Sequence, residues 1–401
     1  MMGRLGLSLS RLILAWAVPA AGYLFVLARA SRRFRLRTPT PADRPKVRVV
    51  IPAHDEARVI GACLDAVAGF AREGWAPDVV VIADNCRDAT ADIARDHGAI
   101  ALERRDPEHP GKGHALQWAF QQTEILDGAE VVFLVDADTL PEPEALDAAL
   151  ARMDDGADVV QVALISRGSS RDDRSAMNWW TTTLMGRVRP RGLNHLGLPA
   201  RLQGAGMAFR SEVLRSIGWP TVGISEDLFA TEFFLDNGYR LLYTDRAVVW
   251  ARSPETDAAA RTQRLRWESG KLLALQRLPQ LLASAVRRRS PQHAALAAHV
   301  AVPPTTVHAA LLVAGVGLAA LAGRPGRRDV AMGVIGTAAL AVYLREGLRL
   351  MDDAEMARRA LLAGPRFARW KLGLQIEAMR RFRNLGWERT PRDAMDTEAP
   401  R

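Results

Sequence analysis

The sequence is poor in two residue types, cysteine and lysine. Its 401 residues include two cysteines, Cys63 and Cys86, which are too few for a disulfide framework and have no metal-binding partner at the short spacing of a zinc motif. Such a composition suits a reducing compartment. The four lysines are Lys46, Lys112, Lys271 and Lys371, so arginine carries nearly all of the positive charge and a single arginine is weak evidence of function.

The net charge of +9 does not indicate a nucleic-acid-binding protein, because of where the charge lies. Residues 1–45 carry eight arginines against one aspartate, and residues 277–401 carry twenty basic residues against ten acidic ones. The stretch between them has a net charge of about −8. Basic residues therefore flank the hydrophobic segments, as in proteins that contact anionic lipid, and we expect no nucleic-acid partner.

Long hydrophobic runs are few, and the first lies near the N-terminus. The run from Leu12 to Ala28 is just long enough to cross a bilayer. Arginines follow it at positions 32, 33, 35 and 37, and the positive-inside rule keeps such a cluster cytoplasmic. The alternative is a cleaved signal peptide, since the sequence at 28–30 resembles a small-residue cleavage site. We favour a retained anchor.

The C-terminal third has two further apolar segments and an amphipathic one. Residues 294–322 are apolar with two prolines inside, which predicts a broken spanning helix or a re-entrant segment. The run from Val330 to Leu344 is short for a span. Beyond it, one helical face predicts an interfacial helix flanked by arginines, and its apolar residues are Leu372, Ile376, Met379 and Phe382.

Between the membrane segments, strand and helix patterns alternate, which predicts a doubly wound, mostly parallel α/β sheet. The expected strands are Val47–Ala53, Val79–Ala83, Ala99–Glu103, Val131–Val135 and Asp158–Leu164. The expected helices are Ala57–Ala71, Asp88–Asp96, Lys112–Gln122 and Glu142–Met153.

Carboxylates follow three of these strands. Asp55 and Glu56 follow the first, Asp84 follows the second, and Asp136 and Asp138 follow the buried run at 131–135. Open α/β sheets bind their ligands at the carboxyl ends of the strands, so we place the active site there. Each acid alone is more simply a helix cap, but several on one edge indicate a cation or a hydrogen-bonding ligand, and carboxylates beside phosphates suit Mg²⁺ or Mn²⁺.

Two further features are a lysine that suits a phosphate and a set of three side chains on one helical face. Lys112 lies between two glycines at the expected start of a helix, where a phosphate is favoured. Gln263, Arg266 and Trp267 have the spacing that places three side chains on one helical face. Arg264, in so arginine-rich a chain, is expected on a solvated face.

Together these motifs resemble the donor half of a family-2 glycosyltransferase with the GT-A fold. The matching stretches are Pro-Ala-His-Asp-Glu at 52–56, Ala-Asp-Asn-Cys at 83–86, Gly-Lys-Gly-His-Ala-Leu at 111–116 and Val-Asp-Ala-Asp at 135–138. Three more follow in order: Gln-Gly-Ala-Gly-Met-Ala-Phe-Arg at 203–210, Ser-Glu-Asp-Leu at 225–228 and Gln-Arg-Leu-Arg-Trp at 263–267. The last is similar to the Gln-x-x-Arg-Trp signature of polysaccharide synthases and related lipid glycosyltransferases.

The resemblance implies a role for each matched residue. Asp227 would be the general base, with Glu226 beside it, and Asp138 with Asp136 would hold the metal. The nucleotide-sugar donor would be bound by Pro52, Asp55, Glu56, Asp84, Lys112, Asp136, Gln263 and Arg266. Arg266 would also stabilise the departing diphosphate. Trp267, Gly204 and Gly206 would contact the acceptor.

We therefore expect an anchor and basic linker at 1–45, a cytosolic GT-A domain at 46–275, a C-terminal membrane region at 276–390 and a flexible tail at 391–401. The expected activity is inverting, metal-dependent transfer from a nucleotide sugar, a UDP sugar in first place, to a membrane-linked lipid or saccharide at the inner membrane. Polymer synthesis with polysaccharide-export partners is the runner-up. A nonenzymatic nucleotide-sugar-binding or scaffold subunit and a nucleotidyltransferase are the alternatives from other classes.

Overall fold

The chain forms two compact units, one built on a sheet and one helical. The computed structural model describes residues 2–36, 44–168, 170–220, 226–253 and 257–381. Within these, the sheet unit comprises residues 35–171 and 199–263, and the helical unit comprises residues 2–34, 172–198 and 264–381. The chain therefore leaves the sheet unit at 172, returns to it at 199 and leaves it again at 264.

One eight-stranded mixed sheet forms the first unit. Its strands are β1 (Val47–Ala53), β2 (Asp78–Asp84), β3 (Ile100–Arg104), β4 (Val131–Leu134), β5 (Thr139–Pro141), β6 (Val159–Arg167), β7 (Met207–Arg210) and β8 (Leu241–Arg252). Their order is β3-β2-β1-β4-β7-β6-β8-β5. The pairs β1–β2, β1–β4, β2–β3 and β6–β8 are parallel, whereas β7 pairs antiparallel with both neighbours and β5 pairs antiparallel with β8.

The helices in chain order are α1 (Met2–Ser31), α2 (Ile60–Ala68), α3 (Thr90–Asp96), α4 (Lys112–Gln121), α5 (Thr123–Leu126), α6 (Ala145–Asp154), α7 (Asp173–Thr183), α8 (Arg189–His195), α9 (Ser211–Ile217), α10 (Glu226–Asp236), α11 (Asp257–Gln276), α12 (Leu278–Arg287), α13 (Pro291–Ala301), α14 (Thr305–Leu321), α15 (Arg327–Arg349) and α16 (Ala354–Arg381). A π-helical segment, Leu184–Val188, joins α7 to α8. The alternation of strands and helices expected between residues 47 and 164 is confirmed.

The core of the sheet unit explains why its first strands are nearly continuous apolar runs. β4 is buried along its whole length, since helices cover both faces of a parallel sheet. Phe133 of β4 packs edge-to-face on Phe70, with ring centroids 5.6 Å apart. Strands built in this way position the polar residues that follow them at one edge.

In the helical unit, α1, α14 and α15 pack against one another. Gly315 allows a close approach, because a Cβ there would lie 2.7 Å from a methyl carbon of Leu14. Ser10 of α1 donates a hydrogen bond to the carbonyl of Gly315 (2.8 Å), and His308 of α14 contacts the carbonyl of Ala17 (2.8 Å). Both contacts join α1 to α14.

Two helices in the described part of the chain are long and apolar enough to cross a membrane, Leu5–Ser31 and Arg324–Arg349. The second differs from expectation, since the short run at 330–344 lies inside a longer helix that extends at both ends. The pair α13 and α14 is bent by 72° at the predicted prolines, as expected of a broken span or a re-entrant segment. Phe382, the linker residues 38–43 and the tail at 391–401 lie outside the described residues.

Candidate active site

The carboxyl end of β1 holds three of the predicted donor residues, Pro52, Asp55 and Glu56. The backbone of Asp55 has φ +51°, a conformation that residues other than glycine rarely adopt. Its Oδ1 accepts a hydrogen bond from the amide of Arg87 (2.7 Å). The amide of Glu56, which is nearly buried, donates to Thr90 Oγ1 (2.8 Å). Pro52 pairs with Ile82 inside the sheet. Backbone strain of this kind is common at ligand sites.

Asp84 is buried, with only 4% of its surface exposed, and its partners are protein groups. Its Oδ1 accepts from Arg104 Nη1 (2.6 Å) and from Asn85 Nδ2 (3.0 Å), and its Oδ2 accepts from the amide of Gly111 (3.4 Å). Asp84 thus connects the end of β2 to the residue that precedes α4. Arg104, which sequence reasoning missed, is the cation that compensates it.

Lys112, the first residue of α4, links two other segments of the predicted site. Its Nζ donates to Asp136 Oδ1 (2.5 Å) and to the carbonyl of Gly204 (2.8 Å). Both charged side chains are partly exposed, so solvent reaches the pair. Lys112 therefore connects Asp136, which is predicted to bind the donor, to Gly204, which is predicted to contact the acceptor.

Asp136 and Asp138 lie on a turn after β4 and not on extended backbone, because the strand ends at Leu134. The carbonyl of Asp136 accepts from the amide (3.0 Å) and the hydroxyl (2.8 Å) of Thr139, which closes the turn. Both carboxylates lie near the buried thiol of Cys63. Burial raises the pKa of this thiol, and the negative charges of Asp138 and Asp136 raise it further. Both carboxylates are half-exposed.

The loop at 201–206, called here the acceptor loop, contacts the predicted base, Asp227 of α10, through its first residue. Arg201 Nη2 donates to Asp227 Oδ2 (2.7 Å), while Asp227 Oδ1 accepts from the amide of Leu228 (2.8 Å). The amide of Leu202 donates to Thr231 Oγ1 (3.0 Å), which itself donates to the carbonyl of Asp227 (2.7 Å). Ser225 and the side chain of Glu226 lie outside the described residues.

Gln161 of β6 fixes the middle of the acceptor loop. Its side chain is fully buried; Oε1 accepts from the amide of Gln203 (2.8 Å) and Nε2 donates to the carbonyl of Ala205 (2.8 Å). Gly206 has φ +65°, and a Cβ there would lie 2.9 Å from Val249. A polar residue in the otherwise apolar run at 159–164 was the one sequence signal for this role, and it was missed.

The helix expected from the spacing of Gln263, Arg266 and Trp267 is present as α11. Gln263 ends the sheet unit, whereas Arg266 and Trp267 belong to the helical unit. Gln263 and Arg266 are half-buried, and 41% of Trp267 is exposed. A helix places the three side chains along one side, as the spacing predicted.

The other side of α11 is buried in the helical unit, so the expectation that Arg264 is solvated was wrong. Arg264 donates to Asn178 Oδ1 and lies over the rings of Phe367 (4.9 Å) and Trp370 (5.4 Å) of α16. Burial lowers the pKa of this guanidinium to about 10. Aromatic rings far along the chain cover the arginine, and its local sequence gives no sign of them.

One turn further on, Glu268 joins α11 to α16 again. The carboxylate accepts from Lys271 Nζ (2.9 Å) and Gln375 Nε2 (3.0 Å), and Lys371 Nζ lies 3.5 Å away. Burial opposes ionisation of Glu268, but Lys271 and Lys371 together with the hydrogen bonds lower its pKa to about 2. Gln375 in turn accepts from Thr306 of α14 (3.0 Å).

Another group of possible metal ligands in the described residues is Asp55, Cys86 and Asp88. Both of its carboxylates are hydrogen-bonded to backbone amides. Asp55 accepts from the amide of Arg87, and Asp88 accepts from the amides of Ala57 (3.0 Å) and Thr90 (3.0 Å). Burial raises the pKa of the Cys86 thiol, which disfavours the thiolate that binds metals. These hydrogen bonds hold together the turns that precede α2 and α3.

A family model described as "Glycosyltransferase like family 2" matches residues 45–270. The probable glycosyltransferase YdaM of Bacillus subtilis is 28% identical over 57% of this chain, and the uncharacterized glycosyltransferase YaiP of Escherichia coli is 29% identical over 54%. The chain spans about half the length of these relatives, 56% and 54%.

Among solved structures, the fold is similar to that of the mannosyltransferase PcManGT from Pyrobaculum calidifontis, whose structure is a complex with GDP-Man and Mn²⁺. The TM-score is 0.57 at 19% identity, and the match covers 85% of this chain and 98% of that one. At this identity the likeness concerns the fold. Together with the family match over more than half of the chain, it shows that the protein belongs to glycosyltransferase-like family 2, with a GT-A-type fold.

Proposed function

We propose that the protein is a membrane-bound, inverting, metal-dependent glycosyltransferase. It moves a sugar from a nucleotide-sugar donor, a UDP sugar in first place, to a hydroxyl of a membrane-linked lipid or saccharide. The acceptor loop carries this proposal. Arg201 ties one end of it to Asp227, and Lys112 ties Gly204 to Asp136. Arg201 and Gly204 are three residues apart, so their Cα atoms are at most about 11 Å apart.

The proposed base and the proposed donor site therefore both contact the acceptor loop, which supports a shared site. Asp227 accepts the proton of the acceptor hydroxyl as its oxygen attacks the anomeric carbon. The bond from that carbon to the diphosphate breaks on the opposite face, so configuration inverts. Lys112 places a positive charge near the diphosphate, and Arg266 offers a guanidinium whose fork matches phosphate oxygens.

A divalent cation fits the turn after β4. Asp136 and Asp138 are partly exposed, and each would supply a carboxylate oxygen to Mg²⁺ or Mn²⁺, hard cations that prefer oxygen ligands. When bound, the cation stabilises the charge that develops on the leaving diphosphate. The Mn²⁺ in the complex of PcManGT supports this part of the proposal.

The helical unit supports a place at the membrane. Its two candidate spans and the arginines after α1 fit an inner-membrane protein whose sheet unit is cytoplasmic. On the outer side of α16, Ile376, Met379 and Trp370 are exposed beside Arg369 and Arg380, which suits a surface of anionic lipid. With up to three spans in the described residues, transfer to a lipid-linked acceptor is favoured over polymer synthesis with export partners.

Release of nucleoside diphosphate tests the class of reaction. The full chain in host membranes is offered a panel of UDP, GDP and other nucleotide sugars with Mn²⁺, with Mg²⁺ or with a chelator. We expect release from one donor that requires the metal and added membrane lipid. Absence of release from every donor would contradict the proposal and favour a nonenzymatic subunit.

A pair of variants tests the metal site. Asp138→Ala is expected to weaken metal-dependent donor binding, because it removes a carboxylate ligand. Asp127→Ala is the matched control, since Asp127 is an exposed aspartate in a turn of the same unit. Calorimetric titration with donor and Mn²⁺ measures the difference, and equal affinities in both variants would remove Asp138 from the proposed site.

A further inference from the structure

Two arginines of the sheet unit each meet an aspartate of the predicted site, but in different ways. Arg104 is buried, and its guanidinium donates to Asp84, to Asp106 (2.7 Å) and to the carbonyl of His109 (3.0 Å). The side chain of Arg201 is 26% exposed, and in the described residues Asp227 is its one hydrogen-bond acceptor. A guanidinium has five N–H donors, so Arg201 can bind a further group while it holds Asp227.

The backbone around Arg201 is fixed although its head is open to solvent. The next two amides are anchored, that of Leu202 on Thr231 Oγ1 and that of Gln203 on Gln161 Oε1. Gln161 is fully buried and Thr231 nearly so. The guanidinium is therefore presented from a rigid loop, which reduces the entropy lost when it binds a ligand.

Because the Arg201 guanidinium lies beside Asp227, its position determines which part of the acceptor it contacts. If Asp227 accepts the proton of the acceptor hydroxyl, the neighbouring atoms of the acceptor lie beside Arg201. Orienting the base does not by itself require the arginine, because the amide of Leu228 already holds Asp227 Oδ1. Without Arg201, an acidic acceptor would meet the repelling carboxylate of Asp227 at this point.

We propose that Arg201 binds an acidic group of the acceptor, a phosphate or a carboxylate, and so makes the enzyme selective for acidic acceptors. A guanidinium recognises both groups through paired N–H donors, and one edge can serve the acceptor while another serves Asp227. This inference rests on the proposed function, of which it names the acceptor class.

Acceptor pairs that share sugar hydroxyls and differ by one acidic group test the inference. The full chain in lipid nanodiscs, supplied with the active donor, is given octyl glucoside 6-phosphate against octyl glucoside, and octyl glucuronide against octyl glucoside. We expect kcat/KM to favour the acidic member by about 10–150-fold, the range for one hydrogen bond to a charged group. The pair with the larger preference distinguishes a phosphate from a carboxylate.

Variants then assign the preference to this residue. Arg201→Gln is expected to bring the ratio of acidic to neutral acceptor close to one, and Arg201→Lys to restore part of it. The ratio separates recognition from a general loss of activity, which lowers both members alike. Arg105→Gln, at a side chain that is 83% exposed, makes the same charge change and is expected to keep the wild-type ratio.

The two proposals fail in different ways. Nucleoside diphosphate release with a wild-type preference for neutral acceptors, or with an unchanged ratio in Arg201→Gln, would overturn the role of Arg201 and leave the transferase intact. No release from any donor with any acceptor would overturn the proposed function itself, and the acceptor assignment with it.

Discussion

The acceptor loop and its neighbours differ from the interior of the helical unit in how their charged side chains are paired. In the sheet unit, the pairs Lys112–Asp136 and Arg201–Asp227 are partly open to solvent, with every side chain between 21% and 33% exposed. In the helical unit, Glu268 is 4% exposed and Glu346, which contacts Arg32 and Arg349, is fully buried. All of these charges are paired. Only the partly exposed pairs can exchange a protein partner for a ligand without opening the protein core.

The difference separates chemistry from architecture. A pair in contact with water loses little when one member turns to a phosphate or a hydroxyl, since water already competes for it. Breaking a buried pair leaves an uncompensated charge in a medium of low dielectric constant. We therefore expect substitutions in the helical unit to act on stability, and those at the acceptor loop to act on ligand binding and turnover.

The largest effect on stability is expected for Glu268→Ala. Below pH 7, where Lys371 is charged, the substitution leaves Lys371 and Arg264 without the carboxylate that compensates them, which costs about 3–5 kcal/mol. Thermal unfolding in detergent micelles measures it. The control is Glu355→Ala on α16, whose half-exposed ion pair with Arg359 contributes about 0.3–0.5 kcal/mol. Equal unfolding temperatures for both variants would end the distinction between buried and exposed pairs.

At the sheet edge, Lys112→Met is expected to act on the donor. Loss of a charged hydrogen-bond donor beside the diphosphate should raise Kd for the nucleoside diphosphate by about 10–150-fold. The unfolding temperature should change little. Titration calorimetry with Mn²⁺ measures Kd, and Lys46→Met, at an exposed lysine, is the control. An unchanged Kd in Lys112→Met would show that the pair with Asp136 is structural.

The helical unit should also show a pH dependence that depends on one lysine. Burial, followed by the nearby charge of Lys271, lowers the pKa of Lys371 from 10.5 to about 7. Between these values the unfolded chain binds more protons than the folded one, so the free energy of unfolding rises with pH. The gain is at most about 1.4 kcal/mol per pH unit.

Lys371→Met lacks this group and isolates its contribution. Unfolding temperatures of the wild type and the variant are compared at intervals from pH 7 to 10.5. The wild type should gain on the variant as the pH rises. Two parallel curves would mean that Lys371 keeps an ordinary pKa in the folded protein.

The smallest effect is expected where both partners are exposed. Arg366 and Asp173 form an ion pair at 3.2 Å with side chains that are 77% and 50% exposed. Arg366→Ala should change the free energy of unfolding by less than about 1 kcal/mol. Thermal unfolding at low and high salt checks this. A loss of stability as large as that of Glu268→Ala would contradict the distinction between buried and exposed ion pairs.

Much of the sheet unit could be predicted because its signals are local. The valine-rich run at 47–53 is β1 to the residue, and the polar residues after β1, β2 and β4 lie at the strand ends where the alternation predicted them. The arrangement of β7, antiparallel between β4 and β6, left no such signal, because strand order depends on contacts across the chain.

What sequence reasoning missed is non-local. Gln161 meets the acceptor loop 42 residues further along the chain, and Arg264 is covered by rings about one hundred residues away. In an arginine-rich chain, the buried arginine and the exposed arginines look alike in sequence. The segment at 172–198 lies between β6 and β7 in sequence but belongs to the helical unit. Its position between two strands of the sheet gave no sign of this.

The central claim is that Asp227 is the base of a sugar transfer, and Asp227→Asn tests it most directly. The full chain in membranes, with the active donor, Mn²⁺ and lipid acceptor, is assayed for nucleoside diphosphate release and for donor affinity. The substitution keeps the size of the side chain and an oxygen for the amide of Leu228. Asp236→Asn, at an exposed aspartate on the same helix, is the control.

We predict that turnover falls by about 10²–10⁴-fold in Asp227→Asn, the usual contribution of a general base, while the donor affinity stays at the wild-type value. Asp236→Asn should keep both. Normal turnover in Asp227→Asn would contradict the account, because the acceptor loop would then connect the donor site to a carboxylate that takes no part in the reaction.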